Sequence, residues 1–165
     1  MIGDKSIVAF ELGDNVDGSD ELFELDIWVL NEHVTCEDNI AYLKSLVHYI
    51  SYDYGTDRDI LKYKKYFKSL SVEDAHRFIL STRDSNSEYY DIENDQIYPN
   101  QQYLDWGPNT DNVFCFAIPK DDGVYISLEF MSPASKAGSV KCEPIDFVLF
   151  NKILRDFVSY AEQKI

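Results

Sequence analysis

Basic residues are scarce in this 165-residue chain: 15 Lys and Arg stand against 30 Asp and Glu, a formal charge of −15 at pH 7. A field of that sign repels nucleic acid and anionic membrane surfaces and speeds encounters with cationic partners. Glycine is sparse as well, at seven, and neither G-x-G-x-x-G nor G-x-x-x-x-G-K-[ST] occurs. The backbone cradle that holds nucleotide phosphates is therefore absent. Cys36, Cys115 and Cys142 are odd in number and far apart, so no disulfide framework is expected, and free thiols suit a reducing compartment. There is no C-x-x-C or H-E-x-x-H, and His33, His48 and His76 never pair at ligand spacing. Neither a metal nor a cofactor is expected. No apolar run approaches the roughly 18 residues of a membrane span. The opening Met1-Ile2-Gly3-Asp4-Lys5 reads as neither a signal nor a transit peptide, so the expected location is the cytoplasm.

What the chain does contain is apolar material: 45% hydrophobic residues, with 10 Phe and 12 Tyr, enough for a packed core. The expectation is one acidic domain spanning residues 1–165. Alternating apolar residues predict strands over 6–12 (Val8, Phe10, Leu12) and 22–30 (Phe23, Leu25, Ile27, Val29). Between them, Gly13 to Glu21 has the Gly, Asn and Asp content of a loop. Asn31-Glu32 is expected to turn the chain into a short strand near His33 to Thr35. From Asp38 the period becomes helical, with Ile40, Leu43, Val47, Ile50 and Tyr54 on one face and Asp38 as the cap. A second helix is predicted from about Asp57 to Ser69. A third opens at the cap-like Ser71-Val72-Glu73-Asp74.

Residues 83–112 follow no period. Continuous apolarity from Val113 to Ile118, then alternation through Val124, Ile126, Leu128 and Phe130 after Lys120-Asp121-Asp122-Gly123, predicts a hairpin. A loop from Ser132 to Ser139, a short strand near Val140 and an amphipathic helix carrying Phe147, Phe150, Leu154, Phe157 and Ala161 complete the chain. The order implies an α+β fold: a largely antiparallel sheet, a helical section after the first strands, and a C-terminal amphipathic helix.

Candidate chemistry is thin. Cys36 lies three residues from His33, but Glu32, Glu37 and Asp38 give the opposite of the electropositive surround a thiolate nucleophile needs. The run Asp14-x-x-Asp17-x-x-Asp20 lacks the spacing of an EF-hand loop and its closing Glu. The bases Arg58, Lys62, Lys64, Lys65, Lys68 and Arg77 read as a solvated helix face or as a phosphate stripe. With 30 acids, some carboxylate pair always stands at the spacing of a glycosidase.

The placement of charge is more informative. Residues 1–55 hold 12 acids and 2 bases, and residues 83–123 hold 9 acids and 2 bases. In the second block the acids are mixed with Tyr and Trp, the residue types that anchor protein interfaces. Tyr89, Tyr90, Asp91, Glu93, Asp95, Tyr98, Asp105 and Trp106, joined by Asp14, Asp17 and Asp20, are the candidate partner-binding residues. The alternative from this reading is a disordered or merely solvated loop with a few aromatics folded back onto the core.

Ile2-Gly3-Asp4, the strand Phe10-Glu11-Leu12, the hairpin Ile27-Trp28-Val29-Leu30-Asn31-Glu32-His33-Val34, and the following helix with Leu43 and Leu46 carry a resemblance over roughly the first 50 residues. They resemble an immunity-protein family of bacterial polymorphic toxin systems, which include contact-dependent growth inhibition. The resemblance implies a cytoplasmic inhibitor that binds a cognate toxin domain in the producing cell and covers its active site or a neighbouring surface; stoichiometric inhibition is the function expected, and the absent catalytic motifs make an enzyme unexpected. Many such toxins are nucleases with basic clefts, which an acidic protein complements. Two other functions stay open: an acidic DNA mimic that blocks a nucleic-acid-binding protein, and a carboxylate-based enzyme.

Overall fold

The computed structural model describes residues 1–55 and 58–165. The chain runs β1 (Ile2–Asp4), β2 (Val8–Asn15), β3 (Leu22–Val29), β4 (Glu32–His33), β5 (Ile40–Tyr42) and α1 (Leu43–Gly55). It continues through α2 (Val72–Ser81), α3 (Ile97–Gln101), β6 (Gln102–Tyr103), β7 (Val113–Lys120), β8 (Gly123–Phe130), β9 (Val140–Ile145) and α4 (Phe147–Glu162). The fold is α+β with antiparallel sheets, a helix after the first strands and a helix at the C-terminus, as the order of sequence periods predicts. Two compact units form: residues 1–56, 104–113 and 146–165 make the first, and residues 57–103 and 114–145 the second.

In the first unit, β3 shows why its sequence makes a strand with one wet face. Phe23, Leu25, Ile27 and Val29 are buried while Leu22, Glu24, Asp26 and Trp28 alternate outward. β1, β2, β3 and β4 follow in that order across the sheet, and β5 also pairs with β3. The β3–β4 hairpin turns on Leu30 and Asn31, both at positive φ, and Val29 faces Glu32. The turn therefore lies one residue earlier than Asn31-Glu32, and its two left-handed residues suit the twist of a two-residue hairpin. Inside, Phe10 stacks on Phe157 of α4 (centroids 4.0 Å, 8°) and against Trp106 (5.7 Å). Each such buried side chain stabilises by about 1.5–3 kcal/mol relative to exposure. Asp146 caps α4, accepting from the Leu149 N–H at 3.0 Å.

A further expectation fails in this unit. Ile40 is strand, not helix: Glu24 faces Ile40, and the Leu43 N–H is taken by the Glu21 carbonyl. Helical geometry begins only at Leu43, and Asp38 accepts from the Ile40 N–H (3.0 Å) in a local turn instead of capping α1.

In the second unit, β6, β7, β8 and β9 follow in order, with β7 and β8 joined by Asp121-Asp122 as the hairpin signal predicts. β7 is buried almost throughout, which explains its unbroken apolar run. Ser71 caps α2 by accepting from the Asp74 N–H at 3.0 Å. The helix predicted from about Asp57 to Ser69 is also corrected. Asp57 lies outside the described residues, and the rest forms successive turns with i→i+3 bonds and a 3₁₀ turn at Lys64–Tyr66. The spacing of Ile60, Tyr63 and Phe67 fits either period, and all three are buried. The Lys120 ammonium binds the Phe67, Lys68 and Leu70 carbonyls that end the segment.

Candidate partner-binding surfaces

The sequence-predicted contact residues divide between the two units. Asp14, Asp17, Asp20, Asp105 and Trp106 belong to the first, and Tyr89, Tyr90, Asp91, Glu93, Asp95 and Tyr98 to the second. Two of them are core residues. Trp106 is 1% exposed, its indole N–H donating to Asp53 at 2.7 Å. Tyr98 is 6% exposed, edge-on to Phe116 and under the Arg83 guanidinium, which lies 3.8 Å from its ring centroid. Burial removes both from any contact surface. The sequence signal misled because a Trp or Tyr among acids looks the same whether its polar tip meets water or a buried partner.

Glu93 and Asp95 are partly engaged internally. The Tyr66 hydroxyl donates to Glu93, Lys65 lies 3.7 Å from the same carboxylate, and Arg83 reaches Asp95 at 3.2 Å. The bond to Glu93 holds the Tyr66 phenol above its ordinary pKa. Asp91, Glu93, Asn94 and Asp95 all have positive φ, conformations that explain why the segment shows no readable period. Tyr89 and Tyr90 are exposed. Tyr89 meets the edge of Phe78 (5.0 Å, 67°), and Phe78 stacks on Tyr66 (5.6 Å, 18°). These rings line an open groove of about 620 Å³ with Lys65 and Arg77 at its margin. Within the basic cluster, Lys64 pairs with Asp121 at 3.0 Å and lowers that carboxyl's pKa, and Arg77 pairs with Glu73 at 3.0 Å.

Asp14, Asp17 and Asp20 are all exposed: β2 runs on through Asp14 to Asn15, into the loop expected over Gly13 to Glu21, and Asp17 and Asp20 lie on the β2–β3 connection. That loop is fastened by its own hydrogen bonds: Asn15 Nδ2 donates to the Ser19 carbonyl (2.7 Å), and Ser19 Oγ accepts from the Glu21 and Leu22 N–H groups.

One constellation escaped the sequence reading. His76 Nδ1 lies 2.7 Å from Ser127 Oγ, and its Nε2 lies 3.0 Å from Glu129. The pattern is that of a nucleophile, a base and an orienting carboxylate. His76 and Ser127 are fully buried, so no substrate reaches the hydroxyl, and the network joins α2 to β8. Ser127 and Glu129 two apart on one strand were the only available signal. Burial lowers the His76 pKa against the opposing pull of Glu129. The Cys142 thiol, half-buried beside Glu73 and Glu143, is pushed up to about 11 and stays protonated. Among the described residues no group of three His, Cys, Asp or Glu side chains is arranged to hold a metal ion, and no helix is long and apolar enough to cross a membrane.

No family model matches the chain, and no curated protein matches its sequence. The structure, however, superposes on the crystal structure of CdiI from Burkholderia dolosa AUO158, with a TM-score of 0.63, covering 96% of this chain and 98% of that one. The chain has the fold of that CdiI. At 14% identity the likeness is one of fold, and it extends over both units instead of the first 50 residues alone. CdiI is an immunity protein of contact-dependent growth inhibition.

Proposed function

We propose that this protein is an immunity protein: a cytoplasmic inhibitor that binds the toxin domain of a contact-dependent growth inhibition system and neutralises it one to one. The observation that carries this reading is the end-to-end likeness to CdiI. The burial of the His76–Ser127 pair agrees with it, since a substrate has no access to that hydroxyl. A net charge of −15 favours a basic toxin, such as a nuclease whose cleft attracts phosphate. The contact residues we assign are Tyr89, Tyr90 and Asp91 with Glu93 and Asp95 beside them, together with Asp14, Asp17, Asp20 and Asp105.

Co-expression tests this. The toxin domain expected for such a protein is the C-terminal domain of a large secreted protein encoded beside the immunity gene; if so, it should arrest growth alone and fail to do so with this protein present. Continued arrest despite full expression of both would count against the proposal.

A further inference from the structure

The outer face of the first unit's sheet is not built as an idle wet face. When one side of an antiparallel sheet packs on the core, the other is ordinarily polar. Here Leu22 faces Tyr42 across the β3–β5 ladder, and Glu24 faces Ile40. All four point outward, and Leu22, Ile40 and Tyr42 remain 37%, 37% and 41% exposed. Leu22 and Tyr42 are directly opposed, roughly 4.5–5.5 Å apart at Cβ, and Ile40 is the diagonal neighbour of Leu22 on the same face at roughly 7–8 Å, so the three apolar groups are near neighbours on one face. They do nothing for the core, which takes Phe23 and Ala41 from the same two strands. Further along β3, Trp28 is held between the Lys5 ammonium (3.8 Å from a ring centroid) and the His33 ring (4.6 Å, 17°).

The rim of the patch is acidic and uncompensated. Glu24 lies within it, Asp14, Asp17 and Asp20 precede Leu22, and Glu37 and Asp38 precede Ile40. None of these six has a basic partner among the described residues. Both bases of residues 1–55 are already engaged, Lys5 by Glu11 at 3.3 Å and Lys44 by Glu21 at 3.4 Å. Apolar groups ringed by charge of one sign fit a partner with apolar groups ringed by the opposite sign. A second copy of this chain would bring carboxylates against carboxylates, and a phosphate backbone would be repelled in the same way.

We infer that the Leu22, Ile40 and Tyr42 face, with its carboxylate rim, docks a cationic polypeptide surface of the toxin domain. This rests on the immunity reading and adds a surface to the contacts assigned above. The patch supplies the apolar anchors and the rim supplies attraction and orientation.

The experiment measures binding of the adjacent-gene toxin domain, by calorimetry and stopped flow, to four forms of the full chain. These are wild type; the triple variant Leu22→Thr/Ile40→Thr/Tyr42→Thr, which keeps strand propensity; Glu24→Lys; and Tyr89→Ala/Tyr90→Ala in the second unit. The expected result is a loss of about 30-fold or more in affinity for the triple variant. Glu24→Lys should associate more slowly, with a shallower salt dependence. If the triple variant fails to fold by circular dichroism, the single Glu24→Lys change decides. Wild-type-like binding by the sheet variants, with loss in Tyr89→Ala/Tyr90→Ala, overturns this inference and leaves the immunity reading standing. No binding by the wild type overturns both.

Discussion

The Trp106 indole N–H donates to the Asp53 carboxylate at 2.7 Å, with both residues buried, and the Leu104 N–H reaches the same oxygen at 3.2 Å. These two bonds fasten residues 104–113 to α1 within the first unit. Replacing Asp53 by Ala leaves two buried donors unpaired, each costing about 1–3 kcal/mol. The urea midpoint of Asp53→Ala should fall by the equivalent of about 2–4 kcal/mol, and Asp53→Asn, which keeps an acceptor oxygen, should lose less. Equal losses in the two variants would contradict this role for the carboxylate.

Gly3 gives a second stability test. Its φ is +97°, and a Cβ there would stand 2.3 Å from the Val8 carbonyl oxygen and 2.6 Å from Ile153 Cγ2. The strained backbone and the collision act together, so Gly3→Ala should destabilise by about 1–3 kcal/mol or more. Gly18, also at positive φ but with open space around it, should lose less on the same change. Chemical denaturation of both variants compares them directly.

The buried His76 makes stability depend on pH. Its folded pKa lies below the ordinary 6.5, driven by burial and by Arg77, with Glu129 and Glu73 opposing. As pH falls through 6.5 the unfolded chain takes up a proton that the folded chain refuses, so this contribution is present above 6.5 and is lost below it. The unfolding midpoint of wild type should drop between pH 7.5 and pH 5.5 by more than that of His76→Gln. Parallel drops would show that another group carries the effect.

Much of the fold was legible because local chemistry and tertiary demand agree. The alternation of Phe23, Leu25, Ile27 and Val29, the Ser71 cap and the Asp121-Asp122 turn each sit where the sequence places them. Legibility failed where pairing partners lie far away in the chain. β5 is three residues long and is fixed by its register with β3, so Ile40 looked like the first turn of a helix. In residues 83–112 the left-handed conformations of Asp91, Glu93, Asn94 and Asp95 erase any period. The candidate surface was legible only in its charge. Acids on the β2–β3 connection are exposed as expected, but no composition rule separates the exposed Tyr89 and Tyr90 from the buried Tyr98 and Trp106, because burial there depends on Phe116, Arg83 and Asp53. The apolar patch of Leu22, Ile40 and Tyr42 appears only when β5 is paired with β3.

Electrostatic steering has its own signature. With six uncompensated rim carboxylates, the association rate with a basic toxin domain should fall steeply between low and physiological salt, since the Debye length shortens to about 8 Å at 0.15 M. The dissociation rate should change little. A rate that ignores salt would remove charge from the account of recognition.

The most direct test of the central claim is a calorimetric titration of the purified adjacent-gene toxin domain with this protein at physiological salt. The immunity reading predicts a saturable one-to-one complex whose formation abolishes the toxin's activity in the same tube. Absence of a complex, with both proteins shown to be folded, would contradict it.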